Sequence, residues 1–145
     1  MNDTEMDATI GRWMASISPV ERADPLWGLL SYRTARYALH LATADVRGLA
    51  PTRRELGDQL IRAVASIGAN LGEGYSRPSL SEQARFYSYA LGSTREAISW
   101  YVALEDVIGT ESALVRAAVL GRVRRLTFGM LRSAKEQRGV SLFRR

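Results

Sequence analysis

Few side chains of this sequence could do chemistry. The chain has no cysteine and one histidine, His40, which excludes thiolate and multi-histidine metal sites and argues against a Ser-His-Asp triad. It also lacks the Glu-x-x-His motif that binds di-iron centres in helical bundles. The glycine-rich stretch LGEGYS (71–76) has no phosphate-loop lysine and follows a predicted helix rather than a strand. We therefore predict no enzyme activity, no metal and no cofactor; catalysis by Glu73 or His40 is the weakest alternative.

Arginine supplies the chemistry that the sequence does offer. The net charge is +5, the isoelectric point is about 10.1, and every basic residue except Lys135 is an arginine. Such a chain favours an anionic partner, and a guanidinium can bind phosphate through paired hydrogen bonds. The candidates for contacts with RNA or DNA lie on the last predicted helix, on the second helix, and around the turn into the third: Arg122, Arg125 and Arg132; Arg53 and Arg54; Arg77 and Arg85. The alternative for each is a surface arginine that pairs with one of the 15 acidic residues.

The elements that must position these arginines are helices. Apolar residues recur with a period near 3.6 over about 25–47, 53–72, 79–108 and 111–137, and no strand pattern is present. Short connections predict an all-α, antiparallel, up-down-up-down four-helix bundle at 24–138. An amphipathic helical extension is predicted at 1–23 and a frayed basic tail at 139–145. Predicted helix starts carry the pairs Ser18-Pro19, Asp24-Pro25, Thr52/Glu55 and Ser79/Glu82.

The second predicted helix has two different faces. Its apolar face contains Leu56, Leu60, Val64, Ile67 and Leu71, and a neighbouring polar stripe contains Gln59, Arg62, Ser66, Asn70 and Glu73. Polar groups at such positions are usually satisfied core or cap groups, and Arg62 is a candidate ion-pair partner of Glu73.

The first and third predicted helices differ in their apolar surface. The first has one inner face: Leu26, Leu30, Tyr37, Leu41 and Ala44. The third has one stripe at Phe86, Ala90, Ala97, Tyr101, Leu104 and Ile108, and a second arc at Tyr87, Leu91, Ile98 and Val102. The second arc predicts contact with another subunit.

Two motifs in this order resemble a known family. The first is S-I-x-x-N-x-x-E-G-Y, at Ser66, Ile67, Asn70, Glu73, Gly74 and Tyr75; the second is A-x-G-S-x-x-E, at Ala90, Gly92, Ser93 and Glu96. They resemble the bacterial four-helix bundle proteins, also called 23S ribosomal RNA intervening-sequence proteins. That family includes the accessory variability determinant of diversity-generating retroelements. The segment before Trp27 and the glycine at position 72, usually alanine in the family, depart from the pattern.

The resemblance implies a ring-shaped homopentamer. In the retroelement branch it also implies a basic surface that engages a reverse transcriptase and its RNA template. A cytoplasmic location is also predicted, with which the absence of cysteine is compatible. The leading hypothesis is therefore a non-catalytic, oligomeric scaffold that binds RNA or DNA. The alternative is a protein-protein adaptor with no nucleic-acid role, favoured by the second arc of the third helix and by the N-terminal helix. The acidic, polar N-terminus is not a signal peptide, and no apolar run is long enough to span a membrane.

Overall fold

The computed structural model describes residues 1–143, with side chains to residue 139. Four long helices form the predicted all-α bundle: α3 (Leu30–Arg47), α4 (Arg54–Tyr75), α5 (Leu80–Ala103) and α7 (Thr110–Phe143). Each packs against the next along the chain, and α7 returns to pack against α3. Three shorter helices complete this part of the chain: α1 (Asp3–Met14), α2 (Pro19–Arg22) and α6 (Glu105–Ile108). No helix within it is long and apolar enough to cross a membrane.

Three of the four predicted capping residues are confirmed, because the side chain of each satisfies an otherwise unpaired backbone N–H. The Ser18 hydroxyl accepts a hydrogen bond from the Glu21 amide at 3.2 Å, and the Ser79 hydroxyl accepts one from the Glu82 amide at 3.2 Å. The Asp24 carboxylate accepts one from the Leu26 amide at 2.9 Å. The long helix predicted to begin there nevertheless begins only at Leu30, because Pro25–Gly28 forms a 3₁₀ turn and Leu29 is extended.

Three further boundaries differ from the sequence prediction. The predicted Thr52/Glu55 capping box is wrong: Pro51–Arg53 forms a 3₁₀ turn, and no side chain caps the helix that starts at Arg54. The third helix breaks at Leu104 before the short α6, which ends at Gly109 with a φ of 87°. The last helix continues to Phe143, beyond its predicted end. Of the predicted frayed tail, residues 144–145 lie outside the described residues, and its boundary stays a prediction.

The buried core follows the predicted face of α4 more closely than those of the other helices. Leu60, Val64, Ile67 and Leu71 are fully buried, as predicted. The face predicted for the first long helix is confirmed in part: Tyr37 is buried, and Leu26 and Leu41 are partly buried against the core. Ala44 is exposed, so this position of the predicted face is wrong. The buried residues of α3 are Ser31, Tyr32, Thr34, Ala35, Tyr37, Ala38 and Ala42.

The second apolar arc of α5 lies mostly inside the same chain. Tyr87 and Leu91 are buried in the core, because α5 packs against both α4 and α7. Val102, at the other end of the arc, is exposed. Most of the arc therefore does not support the predicted contact with another subunit.

Candidate nucleic-acid interface

A polar junction fastens α4 to α5. The Ser66 and Ser93 hydroxyls lie 2.9 Å apart, within hydrogen-bonding distance. The Asn70 amide donates to the Ser66 carbonyl at 2.9 Å and to the Ser66 hydroxyl at 3.0 Å. The junction therefore joins residues from both sequence motifs and satisfies partly buried polar groups that would otherwise be costly.

Gly74 sets the distance between the ends of the same two helices. A Cβ atom at this position would lie 2.6 Å from the Tyr87 ring and 3.2 Å from the Phe86 Cβ. Because such distances are far below van der Waals contact, only glycine fits without movement of α5. Gly74 therefore lets α4 and the start of α5 pack tightly at this end of the bundle.

Arginines and aromatic rings cover the surface next to that close approach. We call Tyr75, Arg77, Arg85, Phe86 and Tyr89 the arginine–aromatic patch. The Arg77 guanidinium lies 4.8 Å from the centre of the Phe86 ring, and the Arg85 guanidinium lies 5.7 Å from the Phe86 and Tyr89 rings. The Phe86 and Tyr89 rings meet edge to face at 5.8 Å. Cation–π contacts of this kind hold the guanidinium planes against the rings.

The patch keeps both its rings and its charge accessible. Tyr75 is 44% exposed and Tyr89 is 48% exposed. Arg77 pairs with Glu73 one turn earlier, while Arg85 donates to the Tyr89 hydroxyl at 2.9 Å. No carboxylate in residues 1–143 forms a salt bridge with Arg85. Exposed rings beside arginines match the requirements for binding single-stranded nucleic acid, whose bases stack and whose phosphates pair with cations.

The three arginines predicted on α7 differ in their exposure and in their ion-pair partners. Arg122 is 3% exposed and pairs with Asp7 of α1 at 2.6 Å, so it cannot reach a phosphate in this arrangement. Arg125 is on the surface but pairs with Asp3 at 3.0 Å. Arg132 is exposed and lies 3.3 Å from Glu136 on its own helix. The structure therefore does not present these three side chains as one open surface.

The arginines predicted at the start of α4 lie at the opposite end of that helix from the patch. Arg53 is paired with Asp106 at 3.0 Å, which joins the α3–α4 connection to α6. Arg54 is exposed, and its side chain forms no ion pair within the described part of the chain. The structure thus brings together Arg77 and Arg85 and separates them from the other five candidates.

A match to a protein-family model identifies the family of this chain. The model of the 23S rRNA-intervening sequence protein family matches residues 38–115, which is more than half of the chain. The protein belongs to this family. A comparison with curated proteins found no match. The matched segment contains the polar junction and the whole arginine–aromatic patch, whereas α1 lies outside it.

Among the remaining motif residues of this 23S rRNA-intervening sequence protein, Ile67 and Ala90 are buried in the core, whereas Glu73, Gly92 and Glu96 are on the surface. Glu96 accepts a hydrogen bond from the Trp100 indole at 3.2 Å. Gly92 is exposed, and a Cβ atom there would meet nothing within 4 Å. The predicted pairing of Arg62 with Glu73 is wrong, because Glu73 pairs with Arg77 instead. Glu96 and Gly92 therefore have no role in packing within this chain that explains their place in the motif.

A largely buried ion-pair cluster at the other end of the bundle was not predicted from the sequence. Arg116 donates to both oxygens of Asp45, at 2.7 and 2.9 Å, and the Tyr101 hydroxyl donates to Asp45 at 2.8 Å. Burial, and then the Asp45 charge, raise the pKa of Tyr101 above its usual range. Hydrogen bonding to Asp45 raises the pKa of Arg116. The cluster joins α3, α5 and α7, and no local pattern reveals partners so distant in sequence.

The candidate catalytic residues are not assembled into a site. His40 is exposed; its ring stacks on Tyr37 with the ring centres 6.1 Å apart and is tilted against Trp13 with the ring centres 5.6 Å apart. Glu73 is on the surface in its pair with Arg77. Within residues 1–143, no group of three or more His, Asp or Glu side chains is placed to hold a metal ion. The family is not a known enzyme family.

Proposed function

We propose that the protein is a non-catalytic, homo-oligomeric scaffold that binds single-stranded RNA through the arginine–aromatic patch. The observation that carries this proposal is the stacking of Arg77 and Arg85 on the Phe86 and Tyr89 rings, of which Tyr89 is 48% exposed. Tyr75, two residues before Arg77, is also exposed. Net charge of +5 favours the approach of a polyanion. The family description, which names an intervening sequence of 23S ribosomal RNA, supports RNA as the natural class of ligand.

The patch favours single strands over duplexes for a geometric reason. Bases in a duplex are stacked on one another, whereas those of a single strand are free to stack on Tyr75 and Tyr89. Phosphates on either side would pair with Arg85 and with Arg77. Sequence preference would be weak, because every base presents a face that can stack.

The test is a binding titration with single-stranded and duplex RNA of equal length across a salt series. Affinity for the single strand should exceed that for the duplex and should fall steeply as salt increases. Tyr89→Ala should weaken binding, by about 1–3 kcal/mol if one base stacks on that ring, while the salt dependence stays unchanged. Equal affinity for both RNAs, unaffected by Tyr89→Ala, would contradict the proposal.

The homopentamer and the reverse-transcriptase partner are predictions of the resemblance, and the cytoplasmic location also stays a prediction. Molecular mass in solution tests the first. A reverse transcriptase gene and a template repeat beside the gene for this protein would support the retroelement branch, and their absence would count against it.

A protein-protein adaptor is the second candidate, favoured by an apolar hollow of about 120 Å³ between α5 and α7. Val102 and Leu114, at its edge, are among the most exposed large apolar side chains of the chain described. A protein partner bound there would associate with little dependence on salt, in contrast to RNA.

A further inference from the structure

The N-terminal helix covers an arginine that would otherwise belong to the surface of α7. Met6 and Ile10 of α1 are buried in the common core. Beside them, Asp7 accepts a hydrogen bond from Arg122 at 2.6 Å. Asp3, one turn earlier, accepts from Arg125 at 3.0 Å. The carboxylates of α1 therefore contact α7, while its apolar side chains are buried in the common core and α1 packs against α3.

The covered guanidinium is incompletely satisfied. The Nη1 atom of Arg122 is buried and has no hydrogen-bond partner among the side chains described, which end at residue 139. A buried charged group that lacks part of its hydrogen bonding lowers the stability of the arrangement that buries it. The Asp3 and Asp7 carboxylates remain more than half exposed, and so does Arg125. A polyanion can therefore compete first for Arg125, whereas Arg122 becomes accessible only when α1 moves away.

We propose that Arg122 and Arg125 form a second phosphate-binding site and that α1 masks this site as a charged strap. Release of α1 would expose two arginines one turn apart on α7 and would remove two nearby negative charges. The ligand class is a chain of phosphates, and in the cell this is the RNA of the proposed function, on which the inference rests. The strap would keep the site closed until a polyanion competes for it.

The test compares full-length double variants that differ only in where two carboxylates are neutralised. Asp3→Asn with Asp7→Asn removes the strap contacts. Glu55→Gln with Asp58→Asn removes the same charge from the exposed surface of α4 and is the matched control. Amide hydrogen exchange without ligand reports the release of α1: residues 3–10 should exchange faster in the strap variant than in the control.

Long-chain polyphosphate, which has phosphates but no bases, probes the masked site apart from the arginine–aromatic patch. It should bind the strap variant several-fold more tightly than the control. With single-stranded RNA, the salt dependence should steepen by about 0.7 for each added phosphate contact. Met6→Ala, which loosens α1 without changing charge, should also increase polyphosphate binding.

The outcomes separate this inference from the proposed function. If RNA fails to bind the wild-type protein but polyphosphate prefers the strap variant over its control, the masked site stands and the proposed function fails. If polyphosphate binds the strap variant, Met6→Ala and the control alike, α1 is a structural element only and the masked site is overturned, whatever RNA does.

Discussion

Two ends of the bundle use arginine in opposite ways. At the junction of α3, α5 and α7, Arg116 donates two hydrogen bonds to Asp45 and is largely buried. At the α4–α5 turn, Arg85 stacks on aromatic rings and has no carboxylate partner in the described chain. Whether each arginine forms an ion pair depends on whether the fold brings a carboxylate from a distant helix next to it. Arginine therefore fixes the fold at one end and remains available to a ligand at the other.

The buried end should give the largest effect on stability. Asp45→Asn leaves the buried Arg116 without its counter-charge, which typically costs about 3–5 kcal/mol of unfolding free energy. Asp106→Asn is the matched control, because it breaks the exposed pair with Arg53 and should cost no more than about 1 kcal/mol. Urea unfolding measures both. Equal losses of unfolding free energy in the two variants would contradict the expected difference between the largely buried pair and the exposed pair.

Glycine substitutions test the tight packing beneath the patch. Gly74→Ala forces its Cβ into the Tyr87 ring and should destabilise the protein by about 1–3 kcal/mol. Gly92→Ala, into open space within α5, should instead stabilise the helix by up to about 1 kcal/mol. Thermal unfolding and molecular mass should be measured together. A smaller oligomer for Gly92→Ala would show that a second copy packs against this position.

High pH should weaken the buried end selectively. The raised pKa of Tyr101 means that the folded protein holds this proton more tightly than the unfolded chain does. The corresponding stability is complete below the unfolded pKa of about 10 and is lost as pH rises above that value. Tyr101→Phe should therefore flatten the decline in unfolding free energy measured between about pH 9 and pH 11. If Tyr101→Phe leaves this decline in unfolding free energy unchanged, groups other than Tyr101 cause it.

The polar junction should make a smaller contribution. Ser93→Ala removes the hydrogen bond with Ser66 and should cost about 0.5–1.5 kcal/mol of unfolding free energy. Ser99→Ala, whose hydroxyl bonds only within its own helix in the described chain, is the control and should change stability less. Chemical unfolding of both variants checks this difference, and a loss at Ser99 as large as that at Ser93 would contradict it.

Features that depend on residues close together in the sequence could be predicted. The apolar face of α4 and the caps at Ser18, Asp24 and Ser79 depend on residues two to four positions apart, and the structure confirms them. Membership in the family was also predictable, because its two motifs are local. The break at Leu29 was missed, since nothing in its own side chain ends a helix.

Which arginines form ion pairs could not be predicted from the local sequence pattern. Arg122 was predicted to bind phosphate together with Arg125 and Arg132, yet its partner Asp7 is 115 positions away along the chain. Arg116 likewise meets Asp45 across 71 positions. Because charge pairing depends on which helices become neighbours, a sequence reveals that arginines are abundant but not which remain unpaired.

The most direct test of the account is the salt dependence of single-stranded RNA binding by Arg85→Gln and Arg54→Gln. Both variants remove one exposed positive charge from opposite ends of the α4–α5 pair. If the arginine–aromatic patch is the interface, Arg85→Gln should reduce the slope of log K against log salt by about 0.7 and weaken binding, while Arg54→Gln should leave the slope unchanged. Equal effects of the two variants would mean that RNA responds only to overall charge and would contradict the account.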